Sequence, residues 1–116
     1  MSEYAAPLRD IRFVMQELAG LHRVVALPGC EEATPDVVDT ILEEAARFSG
    51  EMLSPLNRVG DTKGAKWRDT VVTTPPGFKE AYRQFVDNGW NGLGCDPEFG
   101  GQGLPRLLST AVSEMW

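Results

Sequence analysis

The stretch Gly89-Trp90-Asn91-Gly92-Leu93-Gly94-Cys95-Asp96-Pro97-Glu98-Phe99-Gly100-Gly101-Gln102-Gly103-Leu104-Pro105 holds six of the chain's twelve glycines. It lies between two segments with helical periodicity. Upstream, Phe78, Ala81, Tyr82, Phe85 and Val86 predict a buried stripe on a helix from about Pro76 to Asn88, with Gly89 as its left-handed stop. Downstream, Leu107, Leu108, Ala111, Val112 and Met115 predict a helix from about Pro105. Its apolar pattern is still running at Trp116, so the chain is expected to stop inside this element. The glycine spacing argues against a phosphate cradle. A dinucleotide fingerprint needs Gly-x-Gly-x-x-Gly, and a Walker loop needs a closing Gly-Lys-Ser or Gly-Lys-Thr; neither occurs. These glycines instead permit positive-φ turns and close approach of one backbone to another.

Working outward, the clearest helix starts at Thr34, whose hydroxyl suits an N-cap, with Pro35 at the first helical position and Asp36 near the positive end of the dipole. Val37, Val38, Ile41, Leu42, Ala45, Phe48, Met52 and Leu53 form a wide apolar stripe. Glu43 and Arg47 are spaced for an i,i+4 ion pair. Pro55 predicts an end near Leu53. Residues 57–70 read as a polar loop pinned to the body by Trp67, and Val71-Val72-Thr73 is enough for no more than a two-strand ribbon. Before Thr34, Leu8, Ile11, Val14, Met15, Leu18 and Leu21 share one helical face that Gly20 ends. Phe13 lies off that stripe, either as a single exposed hydrophobe or as a contact to a further surface. Leu27-Pro28-Gly29-Cys30 is a turn or linker. Two parts are therefore expected: a helical extension over 1–30, and an α-domain over 31–116 that stops within its last helix. The fold class is all-α, a cluster of about four helices with long loops and at most a short β-ribbon.

The bulk properties exclude several functions. At 42% hydrophobic and 24% charged residues, 116 residues have enough apolar content for one modest core. The net charge of −6 disfavours nucleic acid and anionic membranes, since the cations look scattered along the chain. No window approaches the roughly 20 apolar residues of a membrane span, and Met1-Ser2-Glu3-Tyr4 lacks the basic start of a signal peptide. Cys30 and Cys95 are read as reduced thiols, so a cytoplasmic location is expected.

The chain offers little for catalysis. One histidine, His22, and two distant cysteines give no metal-ligand spacing. No Gly-x-Ser-x-Gly turn accompanies a base, and Cys95 has Asp96 and Glu98 beside it in place of the cationic neighbours that activate a thiol. The pairs Glu31-Glu32, Glu43-Glu44 and Asp96/Glu98 read as solvated carboxylates rather than an acid–base couple. No catalytic, cofactor-binding or metal-binding residue is assigned.

One resemblance runs through the glycine stretch. Gly89-Trp90-x-Gly92-Leu93, followed by Pro97-Glu98-Phe99-Gly100-Gly101-x-Gly103-Leu104-Pro105, resembles the amino-terminal domain of acyl-CoA dehydrogenases, where a similar pattern joins two helices; Phe99 stands where Tyr is common. Leu108, Ala111 and Ser113-Glu114-Met115 look like that family's next helix. Tyr4-x-Ala6-Pro7-Leu8-Arg9-Asp10-x-Arg12-Phe13, Ala33-Thr34-Pro35-Asp36 and Pro55-Leu56-Asn57-Arg58-x-Gly60-Asp61 are similar to a bacterial large-subunit branch that acts on aryl-acyl or 3-methylmercaptopropionyl thioesters.

The resemblance implies a parent oxidoreductase of fatty acid metabolism with a helical domain, a middle β-domain and a second helical domain. It implies FAD held mainly by the later parts and a neighbouring subunit, a later glutamate that abstracts the α-proton, a homo-oligomer, and electron transfer to an electron-transferring flavoprotein. This chain alone would be non-catalytic and bind no cofactor, with apolar surface exposed around Leu107, Leu108, Val112 and Trp116. Gly89, Trp90, Gly92, Pro97, Glu98, Gly100, Gly101, Gly103, Leu104 and Pro105 would be a structural signature loop beside the acyl cavity. The alternative is a free-standing helical interaction or dimerisation module. A small acyl carrier fails for want of an Asp-Ser-Leu attachment serine.

Overall fold

Pro7 leads into α1 (Leu8–Phe13), where its missing N–H costs nothing. The computed structural model describes residues 4–116; Met1, Ser2 and Glu3, on which the signal-peptide reading partly rests, lie outside them. The helix continues through a π-helical turn at Val14–Leu18, in which the Ala19 amide reaches back to the Val14 carbonyl at 2.8 Å. A π-turn takes in an extra residue, so the apolar stripe loses its 3.6-residue register there. Ile11, Met15 and Leu21 are buried, whereas Val14 and Leu18, expected on the same face, are exposed. Gly20 stops the helix at φ 71, and α2 (Leu21–Val25) follows.

Thr34 caps α3 (Pro35–Phe48) as its sequence predicts, accepting the Val37 amide at 3.4 Å. The predicted end at Leu53 is wrong. A π-helical turn at Ser49–Leu53 leads directly into α4 (Ser54–Lys63), and Pro55 sits in the first turn of that helix. The Ser54 amide still bonds back to Ser49, and in the new first turn the N–H that Pro55 lacks is of little consequence. Residues 57–63, read as loop, are therefore helical. The Glu43–Arg47 pair is also replaced. Arg47 meets Glu44 at 2.5 Å and Glu51 at 3.7 Å, while Glu43 and Asp39 take Arg12 at 2.9 and 2.8 Å.

β1 (Lys66–Arg68) and β2 (Val71–Thr73) form the antiparallel ribbon, with Trp67 opposite Val72. Asp69 and Thr70 make the reversal with φ of 50 and 67, the left-handed pair that a two-residue hairpin turn requires. Trp67 does not pin this segment to the body; it is 72% exposed. Packing, rather than residue type, decides burial on a ribbon with no sheet beneath it. On α5 (Phe78–Asp87), Ala81 is buried and Phe78 and Phe85 are half-buried, but Tyr82 and Val86 face outward, so the covered stripe is narrower than its periodicity predicts.

α6 (Arg106–Ser113) packs across α3, with Leu42 and Leu108 both fully buried. Leu108 and Val112, expected to be exposed, lie inside the core, because α3 already covers that face. Ile11, Met15 and Leu21 from the leading segment join the same core, together with Leu93 and Leu104. The fold is thus a mostly α cluster with one short ribbon, as its sequence predicts. Its radius of gyration is 16.5 Å, against roughly 13 Å for a compact domain of this length. Across the described residues it is a slab 18 Å thick and 52 Å long, built around a single small core.

Leu42→Ala removes a side chain that has no solvent contact, and urea unfolding should show a loss of about 2–5 kcal/mol. Leu18→Ala, at a 68% exposed position, should change the same midpoint by no more than about 0.5 kcal/mol.

Candidate functional site

The connection between α5 and α6 folds back on itself. Gly89 at φ 78 ends α5 and opens a short 3-10 turn at Trp90–Gly92; a second spans Pro97–Phe99, capped by the Asp96 carboxylate accepting the Glu98 amide at 2.8 Å. The chain then returns alongside its own beginning. The Gln102 amide donates to Gly92 O (2.9 Å), Gly103 to Cys95 O (2.9 Å) and Leu104 to Leu93 O (3.1 Å). Leu93 and Leu104 thereby drop into the core as neighbours, and Pro105 is buried after them. Of the predicted loop residues, Gly89, Trp90, Gly92, Gly101, Gly103, Leu104 and Pro105 belong to this closed double layer. Pro97 touches it beneath Gly103, whereas Glu98, Phe99 and Gly100 form an exposed tip.

A phosphate-bearing cofactor such as FAD needs free amides aimed outward. Here the amides of Gly100 to Leu104 are all spent on carbonyls of the loop itself, and the tip carries Asp96 and Glu98. These residues do not fit a flavin pyrophosphate, and no step through the flavin is assigned to them.

Two hollows flank the loop's aromatic neighbour. Trp90, Phe85 and Phe48 gather around Trp116, with ring centroids 5.3 to 6.2 Å from it in edge-on arrangements. On one side Leu53, Leu56, Phe78, Phe85, Met115 and Trp116 line an apolar groove of about 630 Å³. On the other, Glu44, Arg47, Glu51, Gln84, Trp90 and Gln102 surround a more polar hollow of about 340 Å³. The indole N–H of Trp90 is buried without a hydrogen-bond partner, which is uncommon for a buried donor. Charges at the hollow are spent on one another. Arg47 holds its proton more tightly beside Glu44, and the nearby Glu80 carboxyl stays below its usual range because it accepts from Gln84 and Arg83. The apolar groove eluded sequence reading because its floor depends on α4; once 54–63 is helical, Leu53 and Leu56 are three apart and share a face.

His22 is exposed, and Cys30 and Cys95 are unpaired thiols. Among the described residues no cluster of metal-ligating side chains occurs and no helix is long and apolar enough to cross a membrane.

A Cβ at Gly101 would collide with the Cys95 carbonyl, whereas one at Gly94 would meet Ser109 Oγ at an ordinary 3.4 Å. Gly101→Ala should therefore cost about 1–3 kcal/mol in a thermal melt, as an overpacked site does. Gly94→Ala, in the same loop, should stay within about 1 kcal/mol of the parent protein.

No established family profile matches the chain. It is 44% identical over 112 residues to a 3-methylmercaptopropionyl-CoA dehydrogenase of Ruegeria pomeroyi, covering 97% of this chain and 19% of that protein. It is 23% identical over 116 residues to a broad-specificity linear acyl-CoA dehydrogenase of Mycobacterium tuberculosis, covering 98% of this chain and again 19% of the relative. The chain spans about a fifth of the length of the curated relatives it matches. Over nearly its whole length, and through the glycine connection described above, this chain is a homologue of acyl-CoA dehydrogenases and aligns with a segment of their subunit.

Proposed function

We propose that this chain is the amino-terminal helical part of an FAD-dependent acyl-CoA dehydrogenase, an enzyme that removes hydrogen across the α,β-bond of an acyl-CoA thioester. The observation that carries this reading is the 44% identity along 97% of the chain to a dehydrogenase about five times as long. In this reading residues 1–30 are a helical extension docked on an α-domain over 31–116. The loop from Gly89 to Pro105 is structural and sets one wall near the acyl cavity. The flavin, the catalytic base, the electron-transferring flavoprotein contact and the homo-oligomeric assembly belong to the remaining four-fifths of the parent subunit. A soluble, cytoplasmic enzyme is the setting proposed for it.

Two features of the fold support a part that works with neighbours. The slab is more extended than a compact domain of its length. Its apolar groove also opens beside Met115 and Trp116 instead of closing over them. The spent loop amides support a chain that does not hold the flavin by itself.

The reading is tested by two paired preparations. The 116-residue chain, mixed with excess FAD and desalted, should emerge colourless. A chimera in which this chain replaces the corresponding segment of the Ruegeria pomeroyi relative should emerge yellow, and its flavin should bleach on addition of an acyl-CoA. A yellow 116-residue chain with one flavin each would overturn the non-catalytic assignment. A folded chimera that takes up no flavin would overturn the assignment as part of such an enzyme.

A further inference from the structure

The ribbon of β1 and β2 is unexplained by the core, the loop or the grooves. Side chains alternate along a strand, so Trp67 and its cross-strand partner Val72 share one face, while Lys66 and Arg68 share the other. Trp67 and Val72 are both more than 60% exposed. A two-strand hairpin is marginal in water, and stability comes with a third strand or a covering layer. The main chain of β1 is ready for such a strand. A two-residue turn closes on a hydrogen-bonded pair, here Arg68 and Val71. Bonded and non-bonded pairs alternate, so the N–H and C=O of Trp67 point away from β2. They have no main-chain partner elsewhere among the described residues.

The two edges differ. Beyond β2 come Pro75 and Pro76, which cannot donate to a ladder. The β1 edge is open and basic. From 58 to 68 the chain has Arg58, Lys63, Lys66 and Arg68 against Asp61 alone, a net +3 on a protein of net −6. Arg68 comes within 3.6 Å of Asp69, with both side chains some 90% exposed, a contact too well solvated to neutralise it. Lys66 has no carboxylate partner among the described residues. An antiparallel strand added at this edge would exchange both main-chain bonds with Trp67. Its flanking residues would stand opposite Lys66 and Arg68 in non-bonded pairs, where side chains approach most closely. Opposite charges there, and an apolar side chain beside Trp67, are the favourable cross-strand partners.

We propose that β1 is a docking edge for an extended segment of a partner protein in which carboxylate and apolar residues alternate. The added strand places an apolar residue beside Trp67 and an acidic residue opposite each of Lys66 and Arg68, completing a three-stranded sheet. A second copy of this chain does not fit. Pairing β1 with β1 would set cation against cation. The chain's one acid–apolar–acid run, Asp96-Pro97-Glu98, is held in a 3-10 turn, and its proline has no N–H to give. Permanent contacts lean on apolar area, whereas exposed charges steer reversible encounters; the cationic edge therefore fits a separate partner.

Titration of the isotope-labelled 116-residue chain with a blocked peptide, Thr-Glu-Val-Glu-Thr, tests this independently of any flavin. The expected result is a saturable shift of the Lys66, Trp67 and Arg68 amide resonances, with slowed hydrogen exchange at Trp67. The dissociation constant should rise on the order of ten-fold at ~0.5 M salt, where exposed charges are screened. Methylating the valine nitrogen of the peptide removes a main-chain bond to Trp67 and should weaken binding by about ten-fold. Thr-Lys-Val-Lys-Thr should not bind. Lys66→Glu with Arg68→Glu, both at exposed positions, should leave circular dichroism unchanged and reverse the choice between the two peptides. No saturable shift at Trp67, equal binding of both peptides, indifference to the methyl group, or a double variant that keeps the original preference would each overturn the proposal.

Discussion

The backbone pairing inside the α5–α6 connection is the constraint on which the rest depends. Residues 92–95 and 101–104 lie close enough to exchange three main-chain hydrogen bonds, and that approach leaves no room for a side chain at Gly101. The pairing delivers Leu93 and Leu104 to the core side by side and sets the entry of α6. From there α6 crosses α3 and buries Leu108 against Leu42. The leading segment then lays Ile11 and Met15 onto the same apolar layer. Burial does most of this work. The Arg12 pairs to Asp39 and Glu43 are half-exposed, and such pairs contribute about 0–1 kcal/mol each, whereas one fully buried leucine is worth about 2–5 kcal/mol on truncation to alanine.

A loop that satisfies its own amides is a connector and not a cradle. The glycines invite a nucleotide reading, but the same glycines let two backbone runs approach, and the donors a phosphate would need are used in doing so. In this connection the donors hold the loop's own shape.

Much of this was legible in the residues. Thr34-Pro35-Asp36 marks a helix start through local bonds alone, and Gly89 marks a stop through its left-handed backbone, so both were found. The loop signature was equally local. What escaped was non-local or unusual. Two π-helical turns shift the register after Phe13 and after Phe48, and neither has a residue signature. The second of them lets Pro55 begin a helix instead of ending one. Exposure of Trp67, Tyr82 and Val86 depends on whether anything packs above them, which periodicity does not encode. The apolar groove followed from the missed helix and was missed with it.

The central claim is that the glycine connection is a closed structural element and not a cofactor site. Amide hydrogen exchange of the 116-residue chain, with and without FAD, tests it most directly. The account predicts that Gln102, Gly103 and Leu104 are protected in the free protein and that FAD leaves their rates unchanged. Fast exchange at these three amides that slows when FAD is added would contradict it.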